Sequence, residues 1–460
     1  MKKIYALLSG ILLTAVLLIG MISLFDKDAL YSEREKRRLA QRPKLTFSTL
    51  LSGKYASDYD SYYADAFPSR EKLLNVNRSL NGFYTFTGLN GKKDPQIVIS
   101  YNPNVANGGE ALQTPSSQVP QDPTATTDPS SDPTEPNTEP STEEQPHIKE
   151  PDEQVQNLGV ALIVGNRAIE VPYADYDSLE DYAGAINNIS KALGSGVRTF
   201  AIDVPNAAEF YTTSEYHTGQ TSQKDMIDFI YSKLDANVKQ VDAYDRLIRH
   251  TDEYIYFRTD HHWTQLGAYY AYTAFCQAAG FEVQPLEKFT KTGEYTNFLG
   301  SLYNVLADYP ASSALKNDPD TVYYYRPYVE IDTYFYPDAT MTEKYVIGTI
   351  SHLDDSVTNK YLTFLGGDHP VTSITTNVDG PVCVLLKESY GNAFAPWLTS
   401  HYSQIYVIDP REFNRDGKPS LDLTAFCKQH NVDDCIVLNY PMAFNSDSYI
   451  AWLNRLVGIN

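Results

Sequence analysis

Positively charged residues are the minority in this chain, which has 37 Lys and Arg residues against 58 Asp and Glu residues among its 460. The resulting formal charge of −21 would argue against nucleic acid as a partner if it were spread evenly, and no nucleic-acid partner is predicted. The excess is concentrated between residues 110 and 153, where eleven Asp or Glu residues accompany one lysine, Lys149. The rest of the chain is therefore only mildly acidic.

Cysteine is also scarce. The sequence contains four, none of them in a Cys-x-x-Cys pair and none at a regular spacing: Cys276, Cys383, Cys427 and Cys435. Their arrangement excludes the pattern of a disulfide-stapled scaffold and that of a cysteine-rich zinc module. We therefore expect mostly buried thiols.

The N-terminus carries an uncharged run of 22 residues, from Ile4 to Phe25, preceded by Lys2 and Lys3. Such a run is long enough to cross the hydrocarbon core of a bilayer, which is about 30 Å thick. Residues 1–27 are predicted to be a single-pass membrane anchor, with the lysines in the cytoplasm and the catalytic domain outside the cell. A cleavable signal peptide, which would release a secreted protein, is the competing interpretation.

Composition divides the remaining chain into three parts. Residues 28–101 are predicted to be the N-terminal part of the extracellular domain. Residues 102–157 hold ten of the 26 prolines, with many Ser, Thr and acidic residues, which predicts a disordered insertion. Residues 158–460 are predicted to form an α/β domain, with an antiparallel or irregular insertion at about 285–375.

Short apolar runs alternate with helical periodicity after residue 158, which predicts a mainly parallel sheet with helices on both faces. A hairpin is expected to turn at Gly165-Asn166, and a helix is expected to begin with Ser178 as its cap. A later helix should be capped by Thr264 and end at Gly280. The other predicted strands are TFAIDV (199–204), EYIYF (253–257), PVCVLLK (381–387), QIYVID (404–409) and DCIVLN (434–439).

The stretch TDHHW, residues 259–263, follows the predicted strand EYIYF, and in parallel α/β sheets ligands bind at the carboxyl ends of strands. Residues two apart can point to the same side, so Asp260 and His262 are expected to share a face, while His261 points elsewhere. An aspartate bonded to one imidazole nitrogen leaves the other nitrogen as a general base.

Two other interpretations of TDHHW stay open, namely helix capping with core packing, and a metal site. Adjacent histidines rarely both reach one ion, and the sequence contains no HExxH motif and no second His/acid cluster. No metal and no cofactor are therefore predicted.

A base needs a nucleophile, and KESYGNAFAPWL places Ser389 between a predicted strand and a predicted helix. This strand-turn-helix arrangement exposes a nucleophile at the edge of a sheet. Backbone N–H groups of the turn and the side chain of Asn392 are candidates for an oxyanion hole. Because Pro396 does not fit deep inside a straight helix, the helix is expected to begin late or to kink. An ordinary helix cap is the alternative role for Ser389.

Together, TDHHW and KESYGNAFAPWL resemble the DHHW proteins of Gram-positive bacteria, which are similar to the periplasmic alginate O-acetyltransferases. The resemblance extends to EREKRRLAQRPKL, DAFPSR, VPNAAEFY, FLGSLYN and IDPREF. It implies an SGNH-hydrolase-like (flavodoxin-like) fold, with Ser389 as nucleophile, His262 as base and Asp260 as the acid that orients the base. The order along the chain is inverted relative to ordinary SGNH hydrolases, in which the serine comes first.

The resemblance also implies a function, the transfer of an acetyl group through a serine acyl-enzyme to hydroxyls of a cell-surface or secreted polysaccharide. The implied partners are the polysaccharide and a membrane-bound O-acyltransferase that supplies the acyl group. The alternatives are a non-catalytic glycan-binding or assembly subunit and a carbohydrate acetyl-esterase. Further candidates for contact with substrate or oxyanion are Trp263, Tyr390, Arg411 and Asn206, the last two because they follow strand ends.

Overall fold

The computed structural model describes residues 161–217, 221–289, 291–415 and 417–459, together with residues 155–157 and a few positions before residue 63. The predicted anchor, nearly all of residues 28–101 and the predicted insertion before Val155 lie outside the described residues. None of the described helices combines the length and the apolar character that crossing a bilayer requires.

Strands and helices alternate through most of the described chain. Its strands are β1 (Tyr31–Ser32), β2 (Arg37–Arg38), β3 (Val155–Asn157), β4 (Leu162–Val164), β5 (Arg167–Ile169), β6 (Arg198–Asp203), β7 (Val238–Gln240), β8 (Lys291–Phe298), β9 (Asp320–Tyr325), β10 (Ile331–Tyr336), β11 (Tyr345–Val346), β12 (Val371–Thr376), β13 (Val382–Lys387), β14 (Gln404–Ile408) and β15 (Asp434–Asn439). Its α-helices are α1 (Tyr176–Leu193), α2 (Ala208–Tyr211), α3 (Gln223–Lys233), α4 (Ala243–Ile248), α5 (Gln265–Ala279), α6 (Ser301–Leu306), α7 (Ser313–Asn317), α8 (Tyr390–Leu398), α9 (Leu423–Gln429), α10 (Pro441–Phe444) and α11 (Asp447–Arg455). Short 3-10 helices lie at Ser214–Tyr216, Leu286–Lys288, Pro310–Ser312, Lys360–Thr363 and Pro410–Glu412.

Eight of these strands form one central sheet in the spatial order β11-β10-β12-β14-β13-β15-β6-β7. The strands from β14 to β7 run parallel, whereas β12, β10 and β11 extend the β14 edge in antiparallel fashion. Every residue of β15 is buried, which explains why this strand is a nearly continuous apolar run in the sequence. The protein therefore has a mixed α/β fold with a large central sheet.

The five parallel strands are a circular permutation of the flavodoxin-like order. That order is 2-1-3-4-5, and the sheet reproduces it when β13, β14, β15, β6 and β7 are numbered one to five. Strand β13, which leads to Ser389, then takes the first place. Strand β7, the last strand of the central sheet before TDHHW, takes the fifth. The permutation accounts for the inverted order of the acid–histidine pair and the serine along the chain.

Strand β6 shows that helices cover both faces of the sheet. The ring of Phe200 packs edge-on against Phe275 of α5, with 5.2 Å between ring centroids. The carboxyl group of Asp203 instead accepts a hydrogen bond from Tyr182 of α1 at 2.9 Å. Because successive strand residues point to opposite faces, positions 200 and 203 lie on opposite sides. Helix α5 therefore covers one face, with α8 packed against it, and α1 covers the other, with α3 and α11 beside it.

Several local predictions are confirmed. Strands β4 and β5 pair around Gly165, whose φ of 57° places it in the left-handed region. Helix α5 has Thr264 as its cap, and it ends at Gly280 with a φ of 79°. All four cysteines are free and buried.

Two local predictions are wrong. EYIYF forms no strand of the sheet, because residues 255–264 fold back on themselves with an isolated bridge between Tyr256 and Trp263. Helix α1 begins before Ser178, since Asp175 lies in extended conformation ahead of it and accepts the N–H of Asp177.

The region from β8 to β12 supplies the antiparallel strands of the central sheet and a separate two-stranded sheet. Strands β8 and β9 pair as a separate two-stranded sheet, while β10, β11 and β12 join the central sheet. The 3-10 helix Lys360–Thr363 lies between β11 and β12. Both the β8–β9 sheet and this 3-10 helix contribute side chains or backbone groups to the candidate site.

Candidate active site

Ser389 lies at the junction between β13 and α8. Its side chain makes no capping hydrogen bond, because the carboxyl group of Glu388 accepts the N–H of Tyr390 at 2.9 Å. Glu388 thus takes the capping role, and the serine hydroxyl makes a longer contact with the same carboxyl group, at 3.5 Å. Helix α8 begins directly at Tyr390 and contains Pro396, so of the two expectations for this helix the late start is wrong, and a kink stays a prediction.

The shorter contact of the Ser389 hydroxyl is with His262. Oγ lies 2.7 Å from Nε2 of the imidazole, and Nδ1 of the same ring lies 2.6 Å from Oδ1 of Asp260. All three residues are buried, with 4 to 5% of their surface exposed. With its proton on Nδ1, facing the carboxylate, the imidazole presents a lone pair on Nε2 to the serine hydroxyl. This arrangement is suited to removing the proton of a serine that attacks a carbonyl carbon.

A tight loop brings the acid and the base to the serine. The N–H of Phe257 donates to the C=O of His262 at 3.2 Å and closes the loop on itself. Asp320, at the start of β9, is fully buried and accepts the backbone N–H groups of Arg258 at 2.9 Å and Thr259 at 2.7 Å. One carboxylate of the β8–β9 sheet therefore fixes the backbone at the start of TDHHW.

Asp260 is held on its other side by the residues that follow β8. Its Oδ2 accepts the N–H of Ser301 at 2.8 Å. A Cβ added at Gly300 would lie 2.2 Å from the Cβ of Asp260, so glycine alone fits this approach. Burial acts to raise the pKa of Asp260, but His262, His261 and the hydrogen bonds hold that pKa well below its usual range. Asp260 is therefore ionised at neutral pH.

His261 makes a separate contact with a serine. Its Nδ1 lies 2.5 Å from the Oγ of Ser301, and its ring centroid lies 3.8 Å from that of His262. Burial and the neighbouring His262 lower the pKa of His261 to about 3, which leaves it neutral. Asp260 and the two histidines place potential metal-ligand atoms within 4.8 Å of one another. Both ring nitrogens of His262 are, however, already hydrogen-bonded, which favours proton transfer over metal binding for that residue.

Comparison with known proteins assigns the chain to a family. The profile that describes DHHW proteins matches residues 138–408, a range that includes Asp260, His262 and Ser389. The chain belongs to the DHHW family. No curated protein sequence matches it.

Solved structures resemble the fold of this DHHW protein. A DHHW family protein from Eubacterium siraeum shares 31% identity with a TM-score of 0.55, over 64% of this chain and 95% of its own. PatB1 from Bacillus cereus, solved with a sulfonyl adduct, shares 20% identity with a TM-score of 0.49, over 65% of this chain and 98% of its own. The O-acetyltransferase domain of AlgJ from Pseudomonas putida shares 13% identity with a TM-score of 0.35, over 61% and 90% of the two chains.

An ion cluster lies at the ends of β13 and β14 in this DHHW protein. Asp368 accepts hydrogen bonds from Lys387 at 2.7 Å, from the amide of Asn392 at 2.8 Å and from Arg411 at 2.8 Å. Arg411 also bonds to Asp409. Burial acts to raise the pKa of Asp368, but the two cations hold it well below its usual range. Asn392 and Arg411 thus donate to carboxylates here, and their roles towards oxyanion or substrate stay predictions.

Three other predicted contact residues are engaged with protein groups. Trp263 is fully buried, and its indole N–H donates to the C=O of Tyr390 at 3.0 Å. Tyr390 is also fully buried, and its hydroxyl donates to the C=O of His261 at 2.5 Å. The amide of Asn206 donates to the C=O of Glu170 at 3.1 Å. These contacts give the three side chains protein partners, and their contact with substrate stays a prediction.

Sequence reasoning assigned no role to several residues that shape the site, namely Glu388, Ser301, Asp320 and Tyr361. Tyr361 stacks on His262, with 3.8 Å between ring centroids and 10° between ring planes. For two of the four, the sequence contained a local indication of a role in the site, because Glu388 adjoins the serine and Ser301 lies within FLGSLYN. Asp320 and Tyr361 had none, since each meets its partners only through the folded chain.

Proposed function

We propose that this DHHW protein is an extracytoplasmic O-acetyltransferase that modifies hydroxyls of a cell-surface or secreted polysaccharide through a serine acyl-enzyme. The observation that carries the proposal is the hydrogen-bonded chain from Ser389 through His262 to Asp260, with distances of 2.7 and 2.6 Å. The flavodoxin-like strand order supports an SGNH-hydrolase-like site at the carboxyl end of β13. The resemblance of TDHHW and KESYGNAFAPWL to O-acetyltransferases supports acetyl as the transferred group.

In the first step, Oγ of Ser389 attacks the carbonyl carbon of an acetyl donor while Nε2 of His262 takes the hydroxyl proton. The negatively charged Asp260 stabilises the imidazolium that forms and keeps the ring in the productive tautomer. The tetrahedral intermediate then collapses. The bond to the leaving oxygen breaks, the leaving group takes the proton from His262, and the acetyl group remains on Ser389.

In the second step, a sugar hydroxyl attacks the acetyl ester on Ser389. His262 accepts the proton of that hydroxyl, the sugar oxygen forms the new ester bond, and Oγ leaves with the proton returned by the imidazole. Water attacking in the same way would release acetate instead. The burial of Ser389, His262 and Asp260 limits the approach of water, which supports transfer over hydrolysis.

The proposed acyl source is a membrane-bound O-acyltransferase that carries the acetyl group outward. The uncharged run from Ile4 to Phe25, preceded by Lys2 and Lys3, supports a single-pass anchor with the catalytic domain outside the cell. Such an anchor raises the effective concentration of the transferase near its donor. Cleavage of the same segment would release a secreted enzyme.

The test is to incubate the purified chain with a chromogenic acetyl ester and to map acetylation by mass spectrometry. We expect acetyl on the peptide that contains Ser389, with release of the chromophore. Ser389→Ala should reduce turnover about a thousandfold or more. Ser190→Ala is the control, because Ser190 is also buried and its hydroxyl accepts a side-chain hydrogen bond from Asn237, but it lies in α1.

Three outcomes separate the candidate functions. Acetylated oligosaccharide, formed when the acceptor is added, supports the transferase. Free acetate at an unchanged rate, with no acetylated acceptor, identifies an acetyl-esterase. Absence of both acylation and turnover, together with unchanged surface acetylation in cells that carry Ser389→Ala, contradicts the enzyme proposal and leaves a glycan-binding or assembly subunit.

A further inference from the structure

Tyr361 contacts both the proposed base and the proposed nucleophile, although it lies in the 3-10 helix Lys360–Thr363, outside the parallel sheet. Its ring stacks on His262, and its hydroxyl donates to the backbone C=O of Ser389 at 3.0 Å. We propose that Tyr361 is a positioning residue that sets the His262 ring against Ser389 and stabilises the charge that His262 gains during transfer. This inference rests on the proposed function.

The stacking contact favours the charged form of the base. The ring centroids of Tyr361 and His262 are 3.8 Å apart with planes 10° from parallel, so the face of the phenol ring covers the imidazole. The face of an aromatic ring carries partial negative charge and attracts a cation above it. His262 becomes an imidazolium only when it takes the proton of Ser389, so the attraction is greatest at that point. An interaction that strengthens in the transition state acts on kcat rather than on KM.

The hydroxyl of Tyr361 fixes the backbone of the nucleophile, Ser389. Tyr361 donates to the carbonyl oxygen of Ser389, the residue at the start of α8. Burial raises the pKa of Tyr361 well above its usual range, and the nearby Asp260 and Glu388 raise it further. The phenol therefore keeps its proton and remains a hydrogen-bond donor at any physiological pH. One side chain thus holds the serine backbone and the imidazole plane at the same time.

Tyr361 is itself held in place from two sides. Phe364 packs edge-on against its ring with 5.2 Å between centroids, and Phe257 does so at 6.2 Å. Phe257 also donates its N–H to the loop that carries His262. With both neighbours buried, the ring has a single well-packed position. The segment between β11 and β12 is therefore part of the site rather than a covering of the sheet.

The two contacts are separable by mutation. Tyr361→Phe removes the bond to Ser389 and keeps the stack on His262, whereas Tyr361→Leu removes both. Tyr402→Phe is a matched control for the first variant, because Tyr402 is fully buried and its hydroxyl donates to Asp434 at 2.7 Å. Tyr406→Leu is a control for the second, because that ring packs beside His430 at 4.7 Å in the middle of β14.

The experiment measures kcat and KM for a chromogenic acetyl ester, and also the rate at which a sulfonyl fluoride labels Ser389 with release of fluoride. We expect Tyr361→Phe to lower kcat about three- to tenfold, and Tyr361→Leu to lower it about tenfold to a hundredfold. KM should change less than about twofold, because the contacts act on the transition state. Sulfonyl labelling should slow in the same order, while the two control variants keep the wild-type rates.

The outcomes separate this inference from the proposed function. Unchanged kcat and labelling in Tyr361→Leu overturn the role of Tyr361 and leave acetyl transfer intact. A loss of activity that only parallels a fall in melting temperature, matched by Tyr406→Leu, also overturns it. If the wild type is labelled at Ser389 but never acetylated, and Tyr361→Leu is labelled more slowly, the role of Tyr361 is supported while the proposed acetyl transfer fails. A wild-type chain that is inert to both reagents overturns both.

Discussion

Oγ of Ser389 lies 2.7 Å from Nε2 of His262, although the two residues are 127 positions apart in the sequence. The imidazole is held on its far side by Asp260 at 2.6 Å, and on its face by Tyr361. The hydroxyl, the ring and the carboxylate therefore form one hydrogen-bonded line in a buried site. Substitution of any residue in that line, or of a residue that holds it in place, should change turnover or stability measurably.

Asp260→Asn should abolish turnover while leaving the fold intact. The amide is close in shape to the carboxylate, but it has no charge, and its N–H can donate a hydrogen bond to Nδ1, which favours the wrong imidazole tautomer. We expect turnover of an acetyl ester to fall about a thousandfold to ten-thousandfold. Asp422→Asn, which alters a helix cap at α9, is the comparison for any general effect of removing a charge. Near-normal turnover in Asp260→Asn would contradict the proposed role.

Gly300→Ala should disable the site by steric displacement. The new methyl group would lie 2.2 Å from the Cβ of Asp260, so one of the two segments must move. A shift of about 1 Å in a reacting group costs about a hundredfold in rate, and we expect at least that loss of kcat.

Gly184→Ala is the matched control for Gly300→Ala. Gly184 lies inside α1, and no atom lies within 4 Å of its added methyl group. This change should raise the free energy of unfolding by about 0.5–1 kcal/mol, because alanine loses less backbone entropy in a helix, and should leave kcat unchanged. Equal activity in the two variants would show that the approach of Gly300 to Asp260 is unimportant.

Asp320→Ala should loosen the loop that carries Asp260 and His262. The change leaves the buried backbone N–H group of Thr259 and the partly buried one of Arg258 without their acceptor, at a cost of about 1–3 kcal/mol for the buried group. Urea denaturation should show that loss, and kcat should fall more than KM rises. Asp320→Asn keeps an oxygen that can accept a hydrogen bond but has no charge. If it is as stable as the wild type while its kcat stays as low as that of Asp320→Ala, the charge of Asp320 is what kcat requires.

The stabilisation that four buried carboxyl groups contribute to the fold should fall as pH rises from about 4.5 to 8. Burial raises the pKa of Glu170 and of Glu388 from 4.5 to about 8, and it raises those of Asp203 and Glu209 to about 7. The folded state therefore keeps protons that the unfolded chain has already released in this range. The stabilisation is complete below the unfolded pKa values and is lost as pH rises through the folded ones.

Melting temperature measured against pH checks this dependence. Glu388→Gln keeps an oxygen to accept the N–H of Tyr390 but does not titrate. Between pH 4.5 and 8 its melting temperature should therefore fall less with pH, or rise more, than that of the wild type. The same change at Glu282, an exposed residue, should leave the slope as it is. A slope for Glu388→Gln equal to the wild-type slope would contradict the prediction for the buried carboxyls.

Local sequence patterns predicted the elements that carry the chemistry. The apolar runs that became β6, β13, β14 and β15 are buried in the parallel sheet, so their sequences report burial on both faces. EYIYF looked the same but forms no strand of the sheet, because an apolar run records burial and not the partner against which it is buried. The cap of α1 was misplaced for a related reason, since Asp175 and Ser178 are both ordinary capping residues.

The sequence by itself determined which residue types are available, namely an acid two positions before a histidine, and a serine between a strand and a helix. Those choices depend on neighbours within one turn of the chain, so they are visible without the fold. Only the tertiary structure decided that the two segments meet, because the permuted strand order places the serine beside a loop 127 residues away. It alone brought Asp320 to Thr259 across 61 residues and Tyr361 to Ser389 across 28. Contacts of that kind arise from the packing of separate elements around a shared core, and no local pattern encodes them.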